Sequence, residues 1–359
     1  MSETRQRLGV VIGGESTEHE VSVSSGRSVM READTDRFEV LPFGVTQNGA
    51  WLTPDETSRR LADPDAADLG DDDGDGLLAY PDVLDAMRGV DVVFPIIHGT
   101  HGEDGTLQGL FELAGLPYVG AGVAASAIGM DKELMRGAFA AAEIPQPPYL
   151  VLADAEVETP SADTLTFIDQ QLGYPCFVKP CNGGSSVGVS KARSREDFGE
   201  AVAVAARHDR KVIVEQAMTG HEVECAILGN EEPAASGVAE ILPEAEFYTY
   251  EAKYQDDSTR MIFPAAINAA TTERVRELAL RAYRAVDCAG LARVDFFAED
   301  DGLVQIIEIN TLPGFTPISQ YPRLWQEEGV GYSELISRLV DLALARHGRQ
   351  TQRELRREA

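Results

Sequence analysis

Positive charge is scarce in this sequence. Of its 359 residues, 31 are Lys or Arg and 60 are Asp or Glu, which gives a formal net charge of −29. So acidic a chain is poorly suited to generic binding of nucleic acid or anionic membranes, because both would repel it. An anionic substrate must instead be held by local cations, by helix N-termini or by a metal ion. The charge also suggests a salt-rich host cytoplasm, where screening weakens self-repulsion.

Paired cysteines and long apolar runs are missing as well. The four cysteines show no C-x-x-C spacing and no histidine at metal-ligand distance, so we expect reduced, buried thiols. The apolar run near the N-terminus is too short for a signal peptide, and no stretch approaches the length of a membrane span. These absences predict a soluble cytoplasmic protein with no membrane partner. The hydrophobic content of 43% is that of an ordinary globular chain.

Strand-like and helix-like segments alternate in the first part of the chain. Segments 8–12 and 90–97 are short, apolar and followed by turns that contain glycine, while 21–31 and 106–114 have helical character. This alternation predicts an α/β protein whose N-terminal domain is a doubly wound parallel sheet. Ligands of such sheets bind beyond the carboxyl ends of the strands.

Two further units follow. The second contains a strand at 176–179 and a glycine-rich loop at 182–188, and the third contains an aromatic loop at 247–254 and a hairpin at 291–314. The chain is long enough for each unit to have its own core. We predict an N-terminal domain at 1–129, a central domain at 130–218, a C-terminal domain at 219–346 and a charged, frayed tail at 347–359.

An acidic, low-complexity insert lies at 63–76. Asp71, Asp73 and Asp75 match the start of a calcium-binding loop, but the twelfth position is Asp82, where Glu is expected. A solvated surface loop is the default interpretation of such a segment, and a calcium site is the alternative. We expect the insert to stay away from the functional site.

The hairpin at 291–314 carries the most informative polar residues. Arg293 and Asp295 lie two positions apart, as do Glu308 and Asn310, so each pair shares one face of its strand. If the turn holds an even number of residues, Arg293 pairs with Glu308, and the carboxylates of Asp295 and Glu308 become diagonal neighbours. Two interpretations remain open. One is a solvated, polar-faced edge hairpin, and the other is a site for a hard cation such as magnesium, completed by substrate phosphates.

The glycine-rich loop is a candidate phosphate site. Lys179 ends the preceding strand, and the loop at 182–188 offers flexible backbone N–H groups and two hydroxyls. It is not a Walker A loop, because no Gly-Lys-Ser/Thr closes it, and an ordinary turn is the alternative. Lys132 is either a second phosphate cation or a surface lysine. Glu215 is either an acceptor for the ribose or adenine of a nucleotide or a solvated strand end.

Seven segments, in order along nearly the whole chain, carry a family resemblance: GGESTEHEVSVSSG (13–26), HGTHGEDGTLQG (98–109), GMDK (129–132), VKPCNGGSSVGVSK (178–191), FYTYEAKY (247–254), ARVDFF (292–297) and EINTLPGFTPIS (308–319). Together they closely resemble the D-alanine–D-alanine ligase family of the ATP-grasp superfamily. The resemblance implies a three-domain ATP-grasp fold and an enzyme that uses ATP to join two D-alanines for peptidoglycan, through an acyl phosphate and a tetrahedral intermediate. It also implies a homodimer, with ATP between the central and C-terminal domains and two magnesium ions, or manganese, on its phosphates.

The resemblance assigns roles by motif position. Nucleotide and metal contacts fall to Lys132, Lys179 and Ser186 for phosphates, to Glu215, Met218 and Glu222 for adenine and ribose, and to Asp295, Glu308 and Asn310 for metal. Substrate contacts fall to Glu18 with His98 nearby, to Lys253, and to Ser319 for the second carboxylate. Arg293 and the Gly314 N–H would form an oxyanion hole, and Glu18, Ser185 and Tyr254 would form a hydrogen-bonded set that ties the aromatic loop over the site.

Two rival functions and two departures accompany this resemblance. A ligase that uses D-lactate as second substrate is the near rival, and Tyr254 favours D-alanine because loss of a hydroxyl from a buried network leaves its partners unpaired. A non-catalytic nucleotide-binding protein is the rival from another class, although it should lack some of the metal and oxyanion residues. Gln216 stands where relatives often have lysine. Cys181, at the base of the phosphate loop, suggests sensitivity to thiol reagents.

Overall fold

The computed structural model describes residues 5–63, 66–153, 155–242 and 260–352. This part of the chain folds into three β-sheets with helices packed around them. None of its helices is long and apolar enough to cross a membrane. The predicted aromatic loop, with Lys253 and Tyr254, lies outside the described residues.

The first sheet has the predicted parallel core. Its strands are β1 (Gln6–Gly13), β2 (Phe38–Val45), β3 (Trp51–Leu52) and β4 (Val92–Pro95), in the order β3-β2-β1-β4. β1 runs parallel to β2 and β4, while β3 is an antiparallel addition at the edge. The helices of this unit are α1 (His19–Glu32), α2 (Pro54–Arg60), α3 (Pro81–Met87) and α4 (Thr106–Ala114). α1 follows β1 directly, so its N-terminus lies at the carboxyl end of the sheet.

The second sheet is antiparallel and carries the glycine-rich loop. Before it come the helices α5 (Val123–Met130) and α6 (Lys132–Ala141). Its strands run in the order β5-β8-β6-β7, and they are antiparallel throughout. The elements are β5 (Tyr149–Ala153), α7 (Ala155–Glu158), α8 (Ala162–Phe167), β6 (Cys176–Pro180), β7 (Ser190–Ala192), α9 (Arg195–Ala205) and β8 (Lys211–Gln216).

The third sheet carries the predicted hairpin. Its strand order is β11-β10-β9-β12-β13, so β13 lies at an edge. One face packs on a long amphipathic helix, α10, while the other face looks toward the second sheet across a cavity. The elements are β9 (His221–Gly229), β10 (Ala234–Leu242), β11 (Arg260–Ile262), α10 (Ala269–Ala285), β12 (Gly290–Ala298), β13 (Val304–Asn310), α11 (Gln320–Glu327) and α12 (Tyr332–Thr351).

β12 and β13 form the hairpin in a different register from the predicted one. Arg293 pairs with Asn310 and Asp295 with Glu308, so the two carboxylates lie directly opposite each other rather than diagonally. The closing turn has an odd number of residues, and a β-bulge at Ile307 shifts the ladder by one more. Neither feature is visible in the alternation of side chains. All four polar side chains still share one face, as predicted.

The C-terminal helix packs on the core and continues past the predicted start of the charged tail. α12 runs through Thr351, and its buried apolar residues share a cluster with β1 and β4 of the first sheet. Arg346 donates to the carbonyl oxygens of Gly120 and Tyr118, and its guanidinium lies 4.4 Å from the centre of the Tyr118 ring. These contacts fix the helix at Arg346, and it continues through Thr351, so residues 347–351 are helical where a frayed tail was predicted. Residues 353–359 of the predicted tail lie outside the described residues.

The acidic insert is also more integrated than predicted. Leu69 is 1% exposed and lies in the core of the first sheet. Its N–H donates to Nε2 of His19 at 3.2 Å, and Nδ1 of His19 lies 2.8 Å from the carbonyl oxygen of Gly14. The insert therefore contacts the residue next to Glu18, yet none of its described residues lines either cavity of the candidate site, in keeping with the expectation that it stays away from the site. Within the described ranges no cluster of three or more His, Cys, Asp or Glu is arranged to hold a metal, which gives the calcium interpretation no support.

Candidate active site

The larger of two neighbouring cavities lies between the second and third sheets. Its volume is about 750 Å³, which falls in the usual range for small-molecule sites. Strands from both sheets contribute to its walls, so neither unit forms the site alone. The structure brings these predicted residues to its lining: Lys132, Lys179, Ser185, Ser186, Glu215, Met218, Glu222, Arg293, Asp295 and Glu308.

The glycine-rich loop between β6 and β7 forms one wall of this cavity. Ser185 and Ser186 have φ values of 49° and 61°, and Gly188 has φ of 72°. Non-glycine residues held in this region are strained, and such strain concentrates at ligand sites. Asp209 fixes the start of the loop by accepting hydrogen bonds from the backbone N and Nδ2 of Asn182 at 2.7 and 2.8 Å. The turn gathers backbone N–H groups where an anion can bind.

Glu215 lies between two cations at the back of the cavity. Its Oε2 accepts from Nζ of Lys179 at 2.7 Å, and its Oε1 accepts from Nε of Arg136 at 2.8 Å. Burial opposes ionisation of this carboxyl, but the charges of Arg136 and Lys179 outweigh it and hold the Glu215 pKa at about 2. The predicted nucleotide acceptor is therefore an anion that also positions the ammonium of Lys179.

Lys132 borders both cavities. It begins α6, and its Nζ donates to the carbonyl oxygen of Gly183 in the glycine-rich loop at 2.7 Å. Burial lowers the Lys132 pKa, while the carboxylate of Glu308 opposes that shift. Its ammonium thus lies between the loop and the hairpin, where a phosphate held by the loop would meet it.

Arg293 is held by two carboxylates. Its Nε donates to Oδ1 of Asp295 at 2.8 Å and its Nη2 donates to Oδ2 at 2.7 Å, a bidentate pair. On the other side, Oε1 of Glu224 lies 3.3 Å from Nε. Glu224 is on β9 directly opposite Asp295 and is 1% exposed. The guanidinium is thereby fixed where the two cavities meet.

The hairpin face has the donor set of a hard-cation site. Asp295, Glu308 and Asn310 offer oxygen atoms only, the ligands that magnesium and manganese prefer. The direct pairing of Asp295 with Glu308 places both carboxylates on the face that borders the cavity. Oδ1 of Asn310 accepts the N–H of Leu312 at 2.9 Å, which orients the amide. These residues therefore fit a divalent cation whose remaining ligands come from phosphates and water.

The smaller cavity adjoins the first and has a volume of about 370 Å³. Elements from all three sheet units reach it. Its lining includes these predicted residues: Glu18, Ser185, Arg293, Glu308, Asn310, Gly314 and Ser319. Lys132, Arg293 and Glu308 line both cavities, so the two cavities meet at these side chains.

Glu18 is one of the carboxylates that line the smaller cavity. It stands at the N-terminus of α1, where the helix dipole favours a negative charge, and it accepts a hydrogen bond from Oγ of Ser185. Only small residues fit around it. A Cβ added to Gly99 or Gly184 would lie 3.0 or 3.3 Å from Oε2 of Glu18. The structure thus brings together two members of the predicted hydrogen-bonded set, Glu18 and Ser185, while the third, Tyr254, lies outside the described residues.

Ser319 and Gly314 lie on the opposite side of this cavity. Oγ of Ser319 accepts from the N–H of Thr316 at 3.0 Å, which fixes the turn before α11. A Cβ on Gly314 would come within 2.9 Å of the same Oγ, so glycine lets the backbone approach the serine closely. Gly314 contributes a backbone N–H and Ser319 contributes a hydroxyl to the same side of the smaller cavity.

His98 lies behind the wall of the cavity rather than on it. It is 2% exposed, and its Nδ1 lies 3.1 Å from the carbonyl oxygen of Leu312. Within the described ranges, the lining of neither cavity includes His98, whereas its neighbour Glu103 lines the smaller one. Burial disfavours charge on His98, yet the carboxylates of Glu103 and Glu18 overcome this and raise its pKa. Glu103, which the sequence analysis missed, is the member of this pair that lines the cavity.

Two other residues near the site were also missed. Arg136 lies one helical turn after Lys132, inside the buried stripe that Met135 and Phe139 continue. Glu224 lies two positions after Glu222 on β9 and faces the same side. A charge within an apolar helical stripe, and a second carboxylate at strand period, are the signals that point to them.

Cys181 does not have the surroundings of a reactive thiol. It is fully buried, its N–H donates to the carbonyl oxygen of Lys211, and its carbonyl oxygen accepts the N–H of Lys132. Burial raises the pKa of the Cys181 thiol to about 12. A neutral, inaccessible thiol reacts slowly, so the structure contradicts the expected sensitivity to thiol reagents.

Comparison with known proteins identifies the family. A family model described as D-ala D-ala ligase N-terminus matches residues 7–121, and one described as D-ala D-ala ligase C-terminus matches residues 138–341. The D-alanine–D-alanine ligase of Heliobacterium modesticaldum is 47% identical over 356 residues, which cover 97% of this chain and 97% of that protein.

Solved structures agree with the sequence comparison. VanG D-Ala:D-Ser ligase from Enterococcus faecalis is 32% identical with a TM-score of 0.79, covering 95% of this chain and 100% of that one. The D-alanine–D-alanine ligase from Coxiella burnetii is 31% identical with a TM-score of 0.79, covering 97% of this chain and 96% of that one. With its ATP-grasp fold and nearly full-length matches, this chain belongs to the D-alanine–D-alanine ligase family.

Proposed function

We propose that this chain is an ATP-dependent, ADP-forming ligase that joins two D-alanines into D-alanyl-D-alanine for peptidoglycan synthesis. The observation that carries the proposal is the junction of the two cavities at Lys132, Arg293 and Glu308. A phosphoryl group held in the larger cavity can reach a carboxylate held in the smaller one only across such a junction. Holding the reactants side by side removes most of the entropic barrier to their reaction.

The first step transfers the γ-phosphoryl group of ATP to the carboxylate of the first D-alanine. Phosphoryl transfer depends mainly on positioning and charge neutralisation. In the proposed site, Lys132, Lys179 and the N–H groups around Ser186 hold the phosphates, while Glu222 and Met218 border the ribose and adenine. Magnesium or manganese, held by Asp295, Glu308 and Asn310, supplies further neutralisation of phosphate charge when bound.

The second step is attack by the amine of the second D-alanine on the acyl carbon. The amide bond forms, inorganic phosphate leaves with the electron pair of the acyl–oxygen bond, and the attacking amine loses a proton. Arg293 and the N–H of Gly314 stabilise the oxyanion that develops on the carbonyl oxygen. Glu18 holds the ammonium group of the first D-alanine, with His98 behind Glu103, and Ser319 holds the carboxylate of the second.

Tyr254 and Lys253 complete the proposal, although they lie outside the described residues. By motif position Tyr254 extends the Glu18–Ser185 hydrogen bond and favours D-alanine over D-lactate as second substrate. Its replacement by Phe is expected to raise the rate with D-lactate relative to D-alanine, because a site built to pair a hydroxyl discriminates strongly. An unchanged ratio in Y254F would remove Tyr254 from the specificity argument.

The remaining parts of the proposal concern organisation. We propose a domain division at 1–129, 130–218 and 219–346, which the three separate sheets support. The family resemblance supports a homodimer that works in the cytoplasm, where ATP and peptidoglycan precursors are found. Sedimentation of the purified chain tests the dimer directly.

Phosphate release from Mg-ATP tests the function. We expect release to require D-alanine and mass spectrometry to detect D-alanyl-D-alanine, with D-serine and D-lactate as comparison substrates. Asp295→Asn should lower kcat by about 100-fold or more, as loss of a group that stabilises transition-state charge does. Glu327→Gln, which removes an exposed carboxylate on α11, is the matched control and should keep full activity. Phosphate release that does not depend on D-alanine, or no phosphate release at all, would overturn the proposal.

A further inference from the structure

Arg136 is 1% exposed and lies near the larger cavity, yet within the described ranges it lines neither cavity. We infer that Arg136 is a positioning residue that joins the second sheet to the edge of the third and so fixes the phosphate lysine relative to the metal-binding hairpin. This inference rests on the proposed function, because it takes the larger cavity as the nucleotide site. The family resemblance gave Arg136 no role.

One side of the guanidinium orients Glu215. Nε of Arg136 donates to Oε1 of Glu215 at 2.8 Å, and Nη2 donates to the same oxygen. With Oε1 occupied, Oε2 is turned toward Nζ of Lys179, which lies 2.7 Å away. Arg136 therefore determines where the carboxylate points, and the carboxylate determines where the Lys179 ammonium lies. Lys179 is only 17% exposed, so it has little freedom to find another position.

The other side of the guanidinium contacts the hairpin. Nη1 of Arg136 donates to the carbonyl oxygen of Ile306 at 2.9 Å, and the N–H of Ile306 donates to the carbonyl oxygen of Pro145 at 2.9 Å. Ile306 lies on β13, the edge strand of the third sheet. An edge strand has backbone groups without a sheet partner, and here Arg136 and Pro145 satisfy them.

The position of Ile306 in its strand makes this contact relevant to the site. Ile306 pairs with Phe296 and immediately precedes the bulge at Ile307, after which Glu308 pairs with Asp295. A shift of Ile306 along its edge would move the bulge and with it Glu308. The same buried cation thus holds Lys179, through Glu215, on one side of the cavity and Glu308, through the backbone, on the other.

A purely structural role for Arg136 predicts different behaviour. Buried ion pairs are costly to dehydrate and contribute little net stability, so stability alone is a weak reason for a guanidinium here. If Arg136 had only a structural role, its substitution would change the melting temperature without changing nucleotide affinity. A positioning residue changes the affinity, and it changes how the affinity depends on pH, because Glu215 keeps its charge with the help of Arg136.

The test measures the Kd of Mg-ATP by calorimetry without D-alanine for the wild type, R136Q, R136K and E215Q, from about pH 8 to about pH 5. We expect R136Q to weaken binding on the order of tenfold or more, the usual effect of removing a partner that orients a binding side chain. R136K should recover part of this loss, because its ammonium reaches Glu215 but cannot also bridge to Ile306. In R136Q the loss should grow as the pH falls and Glu215 takes up a proton, whereas the wild type and E215Q should show no such added dependence.

Each outcome separates the two proposals. Binding by R136Q and R136K that equals that of the wild type at every pH, with only the melting temperature lowered, would overturn the role of Arg136 and leave the ligase proposal intact. If R136Q does not fold, R136K carries the test, and an unchanged Kd in that variant would overturn the inference alone. A wild-type protein that does not bind Mg-ATP would overturn the proposed function and the inference with it.

Discussion

Single residues in this site act through what surrounds them, and Glu215 is the clearest case. It is 2% exposed, and its two oxygens are bound by different cations from different elements, Arg136 of α6 and Lys179 of β6. A carboxylate buried in this way is stable as an anion only while both partners are present. The residue therefore contributes to folding, and in the proposed function also to nucleotide binding, and the two contributions can be measured separately.

Removal of the Glu215 charge should change how stability depends on pH. Burial opposes its ionisation, but Arg136 and Lys179 hold its pKa at about 2, below the ordinary value of 4.5. Because the folded-state pKa is the lower one, the ionised group contributes stability above pH 4.5, and this contribution is lost as the pH falls through 4.5 toward 2. The melting-temperature difference between wild type and E215Q should stay constant from neutral pH to about pH 5 and shrink below that. A difference that does not change with pH would contradict the assignment.

Cys181 should survive treatment with an alkylating reagent in the native protein. Its side chain is fully buried and its thiol pKa is raised to about 12, so almost no thiolate is available to react. We expect iodoacetamide to leave the ligase activity unchanged and mass spectrometry to find the residue unmodified. Protein alkylated after denaturation is the control, since all four cysteines then react. Modification of native Cys181 with loss of activity would restore the original hypothesis.

At the scale of elements, the acidic insert combines an exposed acidic part with a buried anchor. Asp71 and Asp73 are exposed, whereas Leu69 lies beneath β2, where a Cβ on Gly44 would meet its Cδ1 at 2.9 Å. Arg60 of α2 donates to the carbonyl oxygen of Leu69 at 2.5 Å. One apolar side chain and a few backbone hydrogen bonds thus fix a segment whose composition alone indicates a solvated loop.

The anchoring role of Leu69 can be tested by truncating its side chain and, as a control, that of an exposed leucine. Leu69→Ala should destabilise the protein by about 2–5 kcal/mol, the usual cost of removing a buried leucine side chain. It should also raise the KM for D-alanine, because a backbone freed from its side-chain anchor can shift the N–H of residue 69 that holds His19 next to Glu18. Leu78→Ala, at a leucine that is 87% exposed, is the matched control and should change neither quantity. Equal melting temperatures for the two variants would show that the insert does not depend on Leu69.

Elements with strong periodicity were predictable from the sequence, and elements whose position depends on distant partners were not. The helix at 106–114 and the strand at 8–12 follow from their own apolar patterns and appear as α4 and within β1. The register of β12 against β13 depends on a bulge that the pattern of side chains does not encode. Side-chain alternation gave the shared face of Asp295 and Glu308, but the role of Arg136 requires knowing that α6 packs against an edge strand.

At the scale of the whole molecule, net charge should govern the response to salt. A charge of −29 spread over one chain produces repulsion that the folded state concentrates. Raising the ionic strength from about 0.1 M to about 1 M shortens the Debye length from about 10 Å to about 3 Å and screens most of this repulsion. We expect the melting temperature to rise over this range in sodium chloride and in potassium chloride alike. A melting temperature that falls or stays constant would contradict the idea of a salt-adapted surface.

The C-terminal helix has a consequence for biosynthesis. α12 supplies Leu335, Leu339 and Val340 to the cluster that covers β1 and β4 of the first sheet. During translation the earliest strands therefore leave the ribosome long before the helix that completes the cover of this cluster has been made. Nascent chains in this condition aggregate unless chaperones shield them. A chain that ends before α12 would therefore keep part of this apolar cluster exposed, even though its first strands were made long before.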